Sequence, residues 1–184
     1  MRRIVLFMVV LMLAGCENET SEQVQQQLFD AAETGNVELA GIMLSKTDQI
    51  DTVDACYWTP LMKAASNGHL AIVQQLVDKG ANIHAQDKGG YTALMLAASN
   101  NHADVVGWLI QRGADVNHIE QTQGWSALIW AVNRGHSDMV RLLLDHGADP
   151  HLRGNDGKTA RDWAIERANA ETINHLSRLS QVSQ

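Results

Sequence analysis

Few side chains in this sequence are equipped for bond-making chemistry, and they lie far apart. Two cysteines, Cys16 and Cys56, and eight histidines are the candidates for a nucleophile or a metal ligand. A nucleophile needs a base within hydrogen-bond reach, and a zinc site needs three or four closely spaced His, Cys or carboxylate ligands. The sequence has no nucleophile elbow, no Gly-rich phosphate loop and no paired-His metalloprotease motif. His118-Ile119-Glu120 supplies half of a zinc-deaminase pattern without the Pro-Cys-x-x-Cys that completes it. His146 and His151, with Asp145 and Asp149 close by, have the ligand types for a surface zinc site. Capping of backbone groups in a loop accounts for them more simply. No catalytic residue, metal or cofactor is therefore assigned, and the chain is read as a non-enzyme with no small-molecule substrate.

Cys16 draws its chemistry from its setting. Arg2 and Arg3 precede an unbroken apolar run from Ile4 to Leu13. A basic segment followed by about ten apolar residues is the pattern of a secretory signal. The run is too short to span a bilayer, which takes about 20 residues. Leu13-Ala14-Gly15-Cys16 then resembles the lipobox of bacterial lipoproteins. The resemblance implies cleavage before Cys16, diacylglycerol on its thiol and loss of residues 1–15 as a signal peptide. Two or three acyl chains hold a protein at a membrane far better than one, at about 0.8 kcal/mol per buried methylene. Glu17 in place of Asp is expected to favour the outer membrane, facing the periplasm. Residues 16–22 are the lipidated Cys and a polar tether, with an extended reach of at most about 25 Å.

Loss of residues 1–15 removes two of the 14 basic side chains and none of the 21 acidic ones, so the formal charge moves from −7 to −9. Such a balance disfavours nucleic acid, whose phosphates require clustered Lys and Arg. It suits an acidic surface facing a basic protein partner. With Cys16 carrying lipid, Cys56 has no partner in its own chain, and the fold cannot rest on a disulfide.

The remaining residues are positioned by a repeat. Thr59-Pro60-Leu61 recurs as Thr92-Ala93-Leu94, Ser126-Ala127-Leu128 and Thr159-Ala160-Arg161, at intervals of 33, 34 and 33. Gly80-Ala81, Gly113-Ala114 and Gly147-Ala148 keep the same beat, as do Gly35-Asn36, Gly68-His69, Asn101-His102 and Gly135-His136. Within each unit the Thr or Ser is an N-cap, an apolar stripe predicts a first helix, the Gly-His pair breaks it and a second stripe predicts another. The glycine after the second stripe takes the left-handed conformation that ends that helix.

This helix-turn-helix with a polar loop, repeated at about 33 residues, resembles the ankyrin family. The resemblance covers about residues 22–179 and implies an all-α ankyrin-repeat solenoid of stacked helix-turn-helix units with short finger loops. The units are expected at 23–53 (N-terminal cap), 54–86, 87–119, 120–153 and 154–184 (C-terminal cap and tail). The last turns polar on its outer side, as a terminal repeat should. Two departures bear on the fingers. Tyr57 stands where the family has Gly, so the loop before Trp58 is expected to be distorted, and the fourth unit carries one extra residue near Glu120–Gln123, a bulge. His69, His102 and His136 are given by the resemblance a structural role between repeats.

The resemblance also implies that finger loops and first helices form a concave surface, here an acidic one, that binds another protein. Residues ahead of each Thr or Ser are Trp58, Tyr91, Trp125 and Lys158, so three large aromatics would stand in a row about 10 Å apart. Such rings either anchor a partner or pack flat against the next finger. Lys88 flanks the row, and Ser66, Asn67, Ser99, Asn100, Asn133 and Arg134 line its other edge. Trp108, Trp130 and Trp163 fall inside helices and are read as packing. Cys56, on a finger, is either a tolerated small residue or a thiol open to oxidation and intermolecular pairing. The function expected is a lipid-anchored, non-catalytic protein-binding module of the bacterial envelope, such as an inhibitor or immunity protein of a toxin or envelope enzyme. The alternative is a periplasmic scaffold, assembly or stress-defence protein.

Overall fold

A computed structural model describes residues 19–179, so the signal segment and Cys16 lie outside the described residues. Five helix pairs follow one another: α1 (Ser21–Thr34) with α2 (Val37–Lys46), α3 (Pro60–Ser66) with α4 (Leu70–Asp78), α5 (Ala93–Ser99) with α6 (Ala103–Gln111), α7 (Ala127–Arg134) with α8 (Ser137–Asp145), and α9 (Ala160–Glu166) with α10 (Ala170–Leu179). No strand forms among the described residues; only two isolated bridges, Ile119 to Ser126 and Arg153 to Thr159, pinch the bases of the last two fingers. The odd-numbered helices stack on one another as an inner layer and the even-numbered ones as an outer layer. The architecture is the all-α solenoid that the repeat implies.

Local chemistry accounts for each helix. The hydroxyls of Thr59, Thr92, Ser126 and Thr159 accept from the backbone N–H groups of Met62, Met95, Ile129 and Asp162, satisfying donors that the first turn leaves unpaired. A left-handed residue stops each inner helix: Gly35, Gly68, Asn101, Gly135 and Ala168 all have φ between 51° and 79°. Small residues then let the inner layer pack at close range. Ala31, Ala64, Ala97, Ala131 and Ala164 are fully buried, and Ile72, Val106 and Leu143 close the core from the outer layer.

His69, His102 and His136 open the second helices without side-chain caps. Each ring instead reaches back one repeat, with Nε2 donating to the carbonyls of Glu33 (3.1 Å), Ser66 (3.0 Å) and Ser99 (3.1 Å). Those carbonyls sit at helix ends that lack intrahelical partners, so the three rings tie successive repeats together.

Ala168 is the one position in the left-handed series that is neither Gly nor Asn. Its Cβ costs about 1–2 kcal/mol there, and its side chain is exposed. Ala168→Gly is expected to raise stability by about 1 kcal/mol once the added chain freedom of glycine is subtracted. An unchanged or lower urea midpoint would contradict this.

Candidate functional site

The first three finger loops share one hydrogen-bonding plan, built on an acid at the first loop position. In the first, the Asp54 carboxylate accepts from the N–H groups of Cys56 (2.8 Å) and Trp58 (3.0 Å). In the second, Asp87 accepts from Gly89 (2.8 Å) and Tyr91 (2.9 Å). Each loop is closed by paired backbone bonds, Asp54 N–H to Trp58 O and Asp87 N–H to Tyr91 O. Tyr57 therefore does not distort its finger. It adopts φ 66°, where the second finger has Gly90 at 82°, and keeps the loop bonds at the expense of its own backbone strain.

The extra residue of the third finger is absorbed by a longer acid. Glu120, 1% exposed, stands in the place of Asp54 and Asp87. Its Oε1 accepts from Gln123 N–H and Trp125 N–H, each at 3.0 Å, and its Oε2 from Thr122 N–H at 2.5 Å and from the Thr122 hydroxyl. One added methylene spans one added residue. The loop does not bulge away; it wraps a carboxylate.

Burial works to raise the Asp54 pKa, but the N–H groups of Trp58 and Cys56 and the nearby Lys63 ammonium outweigh it, leaving the value below the ordinary carboxylate one. A lowered folded-state value adds stability that is present above the unfolded value and is lost as pH falls through the folded one. Urea midpoints measured between about pH 6 and about pH 2.5 should therefore fall more steeply for the natural chain than for Asp54→Asn. Parallel curves would contradict the assignment.

The four residues ahead of the N-caps do not form an exposed row. Trp58 and Tyr91 are half-buried and each reaches the next finger: Trp58 Nε1 donates to Asp87 Oδ2 at 3.0 Å, and the Tyr91 hydroxyl bonds Thr122 Oγ1 at 3.0 Å. Trp125 is 7% exposed, wedged edge-on between Trp130 (centroids 4.8 Å apart) and Trp163 (5.1 Å). It lies beneath the surface and departs from the expected row because its ring fills the space over Gly154. Lys158 pairs with Glu166 at 2.7 Å and sits over the Trp163 ring. Lys88 crosses to the carbonyl of Ala55 and lies over Tyr57. Fingers are thus laced to one another, and Gln121 N–H to Gly89 O and Asn155 N–H to Gln123 O continue the lacing through the backbone.

The inner-helix face carries what the sequence reading passed over. The residue preceding the buried alanine of each inner helix (Ala31, Ala64, Ala97, Ala131, Ala164) runs Asp30, Lys63, Leu96, Trp130, Trp163. Trp130 and Trp163 are half-buried, and Tyr91 leans on Trp130 with centroids 5.8 Å apart. Beside them Thr34, Asn67, Asn100, Arg134 and Arg167 form an exposed column at the ends of the same helices. Asn100 is tied to Ser66 by two bonds. Ser99 and Asn133 are half-buried in the adjoining column. Trp130 and Trp163 pack on the core as their helical setting predicts, with their indole N–H groups buried, and leave only part of each ring on the inner face.

The face is not uniformly acidic. Glu22, Asp30, Glu33 and Asp54 surround an open groove of about 250 Å³ at the N-terminal end, with Lys63 the one cation on its wall. At the C-terminal end the guanidinium of Arg134 lies over Trp130 and that of Arg167 over Trp163. The expected acidic surface is therefore only half of it: acid gathers at one end, and arginine on tryptophan at the other.

Cys56 is exposed at the first fingertip. His146 Nδ1 donates to the Leu142 carbonyl at 2.9 Å, and His151 N–H to Asp149 Oδ1, the loop-capping arrangement. Among the described residues no three His, Cys, Asp or Glu side chains converge to hold a metal, and no helix is long and apolar enough to cross a membrane.

Comparison with known proteins gives two family matches. The model described as ankyrin repeats (3 copies) matches residues 28–120, and that described as ankyrin repeats (many copies) matches residues 109–164. No curated protein matches.

Proposed function

The chain belongs to the ankyrin repeat family, whose repeats are protein-binding modules, and from that premise we propose that it is a lipid-anchored module of the bacterial envelope that captures one protein partner on its inner-helix face. The observation that carries the binding reading is the half-buried aromatic floor of Tyr91, Trp130 and Trp163, rigid and edged by polar side chains. Trp58, Lys88, Lys158, Ser66, Asn67, Ser99, Asn100, Asn133 and Arg134 complete the surface, with Trp125 as its support from below. Anchoring rests on the lipobox at Cys16 and the short tether after it. The module acts as an inhibitor or immunity protein against a toxin or enzyme at the periplasmic side of the outer membrane.

Two measurements test this. Cells fed an alkynyl fatty acid should label the protein, and Cys16→Ser should abolish the label. Co-expression with the product of each adjacent gene should give a stable complex that Trp58, Tyr91 and Trp130 changed together to Ala dissolve. Labelling of the Cys16→Ser chain, or a complex indifferent to the three substitutions, would sink the respective half. The rival, a scaffold or stress-defence protein, draws on the exposed Cys56 thiol. It predicts that gene loss alters envelope integrity or peroxide survival and leaves toxin sensitivity unchanged.

A further inference from the structure

Arg134 and Arg167 differ from the other cations of the inner face. Lys63 pairs with Asp54 and Lys158 with Glu166. Among the described residues, Arg134 and Arg167 make no ion pair and no side-chain hydrogen bond, yet both are placed: each guanidinium lies within 6 Å of an indole centroid, at 5.8 Å from Trp130 and 5.9 Å from Trp163. A guanidinium held near a ring without an ion pair keeps N–H donors that no described side chain uses, and its edge matches a carboxylate with two parallel bonds.

Geometry selects the kind of ligand. The two arginines hold the same position on adjacent inner helices, and stacked helices lie about 8–10 Å apart. A polyproline-II segment returns to the same face every three residues, a rise of about 9 Å. Two acidic residues three apart in such a segment would therefore meet the two guanidiniums, with intervening apolar side chains resting on Trp130 and Trp163. At the far end of the face Glu22, Asp30 and Glu33 repel such a segment, which fixes where it sits.

We propose that the C-terminal half of the inner face takes an extended acidic segment of a partner protein, its carboxylates bound by Arg134 and Arg167 over the Trp130–Trp163 floor. This rests on the protein-binding reading above and names the chemistry of the partner at that site.

The test uses the full chain and three synthetic peptides with leucine at two of every three positions and aspartate, lysine or serine at the third. Intrinsic tryptophan fluorescence reports occupancy of the floor. The aspartate peptide should bind at least about tenfold more tightly than the other two and weaken as salt rises. Arg134→Glu with Arg167→Glu should reduce that binding by at least about tenfold, while the outer-layer control Arg112→Glu with Arg141→Glu should not. Circular dichroism shows whether both variants stay folded. Equal affinity for the three peptides, or equal loss in the two variants, overturns the proposal. So does binding of phosphatidylglycerol vesicles in place of the peptide, or self-association that the Arg134/Arg167 variant abolishes. A partner complex that survives in the Arg134/Arg167 variant, with the aspartate peptide ignored, overturns this inference and leaves protein binding standing. Selective binding of the aspartate peptide without any adjacent-gene complex supports the inference and removes the immunity reading instead.

Discussion

Replacing Glu120 by alanine is expected to destabilise the protein by about 3–5 kcal/mol, because a buried carboxylate that satisfies several donors disappears and leaves them without acceptors. Three backbone N–H groups, of Thr122, Gln123 and Trp125, lose their partner together. Each orphaned buried donor costs about 1–3 kcal/mol, discounted here because the loop can open to water. The loss should appear as a lower urea midpoint, with proteolysis beginning at the third finger. A compensating change tests the cause. Glu120→Asp combined with deletion of Gln121 recreates the acid and loop length of the second finger, Asp87 to Tyr91, and should recover most of the lost stability. Glu120→Asp alone should not, since the shorter acid cannot reach around the longer loop. A Glu120→Ala midpoint close to the natural one would show that the carboxylate merely fills space.

The same residue shows how far the sequence can be read. Repeat phase and helix pairs were legible because they are periodic: the Thr/Ser caps, the left-handed breaks and the buried alanine of each inner helix recur at nearly constant spacing. Glu120 breaks the period, and an insertion read along the chain looks like a bulge. Only in three dimensions does the longer acid cancel the longer loop. Tyr57 is the converse case: its type argues against a left-handed turn, but the bonds Asp54 makes around it hold the conformation. Surface character was less legible than fold. Net charge is a sum over the whole chain, and it conceals an inner face that runs from Asp30 and Glu33 at one end to Arg134 and Arg167 at the other.

Trp125→Ala is expected to cost about 3–5 kcal/mol, the usual range for deleting a buried aromatic ring. The ring touches both Trp130 and Trp163 edge-on, and such contacts add about 0.5–1.5 kcal/mol each beyond burial. In a solenoid each repeat meets only its neighbours, so the damage should fall on the last two helix pairs, with α9 and α10 exchanging their amide protons first and α1 to α4 keeping their protection. Trp125→Phe should be far milder, below about 1.5 kcal/mol, since volume is largely kept. The indole N–H that it removes has no acceptor among the described residues. This contrast also separates support from contact in the binding face. Trp125→Ala should abolish partner binding together with the order of the C-terminal repeats, and Trp125→Phe should restore both. Trp130→Ala, on a half-buried ring, should weaken binding while amide protection of α9 and α10 persists. Should Trp125→Phe instead bind as poorly as Trp125→Ala while fully folded, Trp125 itself would be a contact residue, and the floor would have to be redrawn around it.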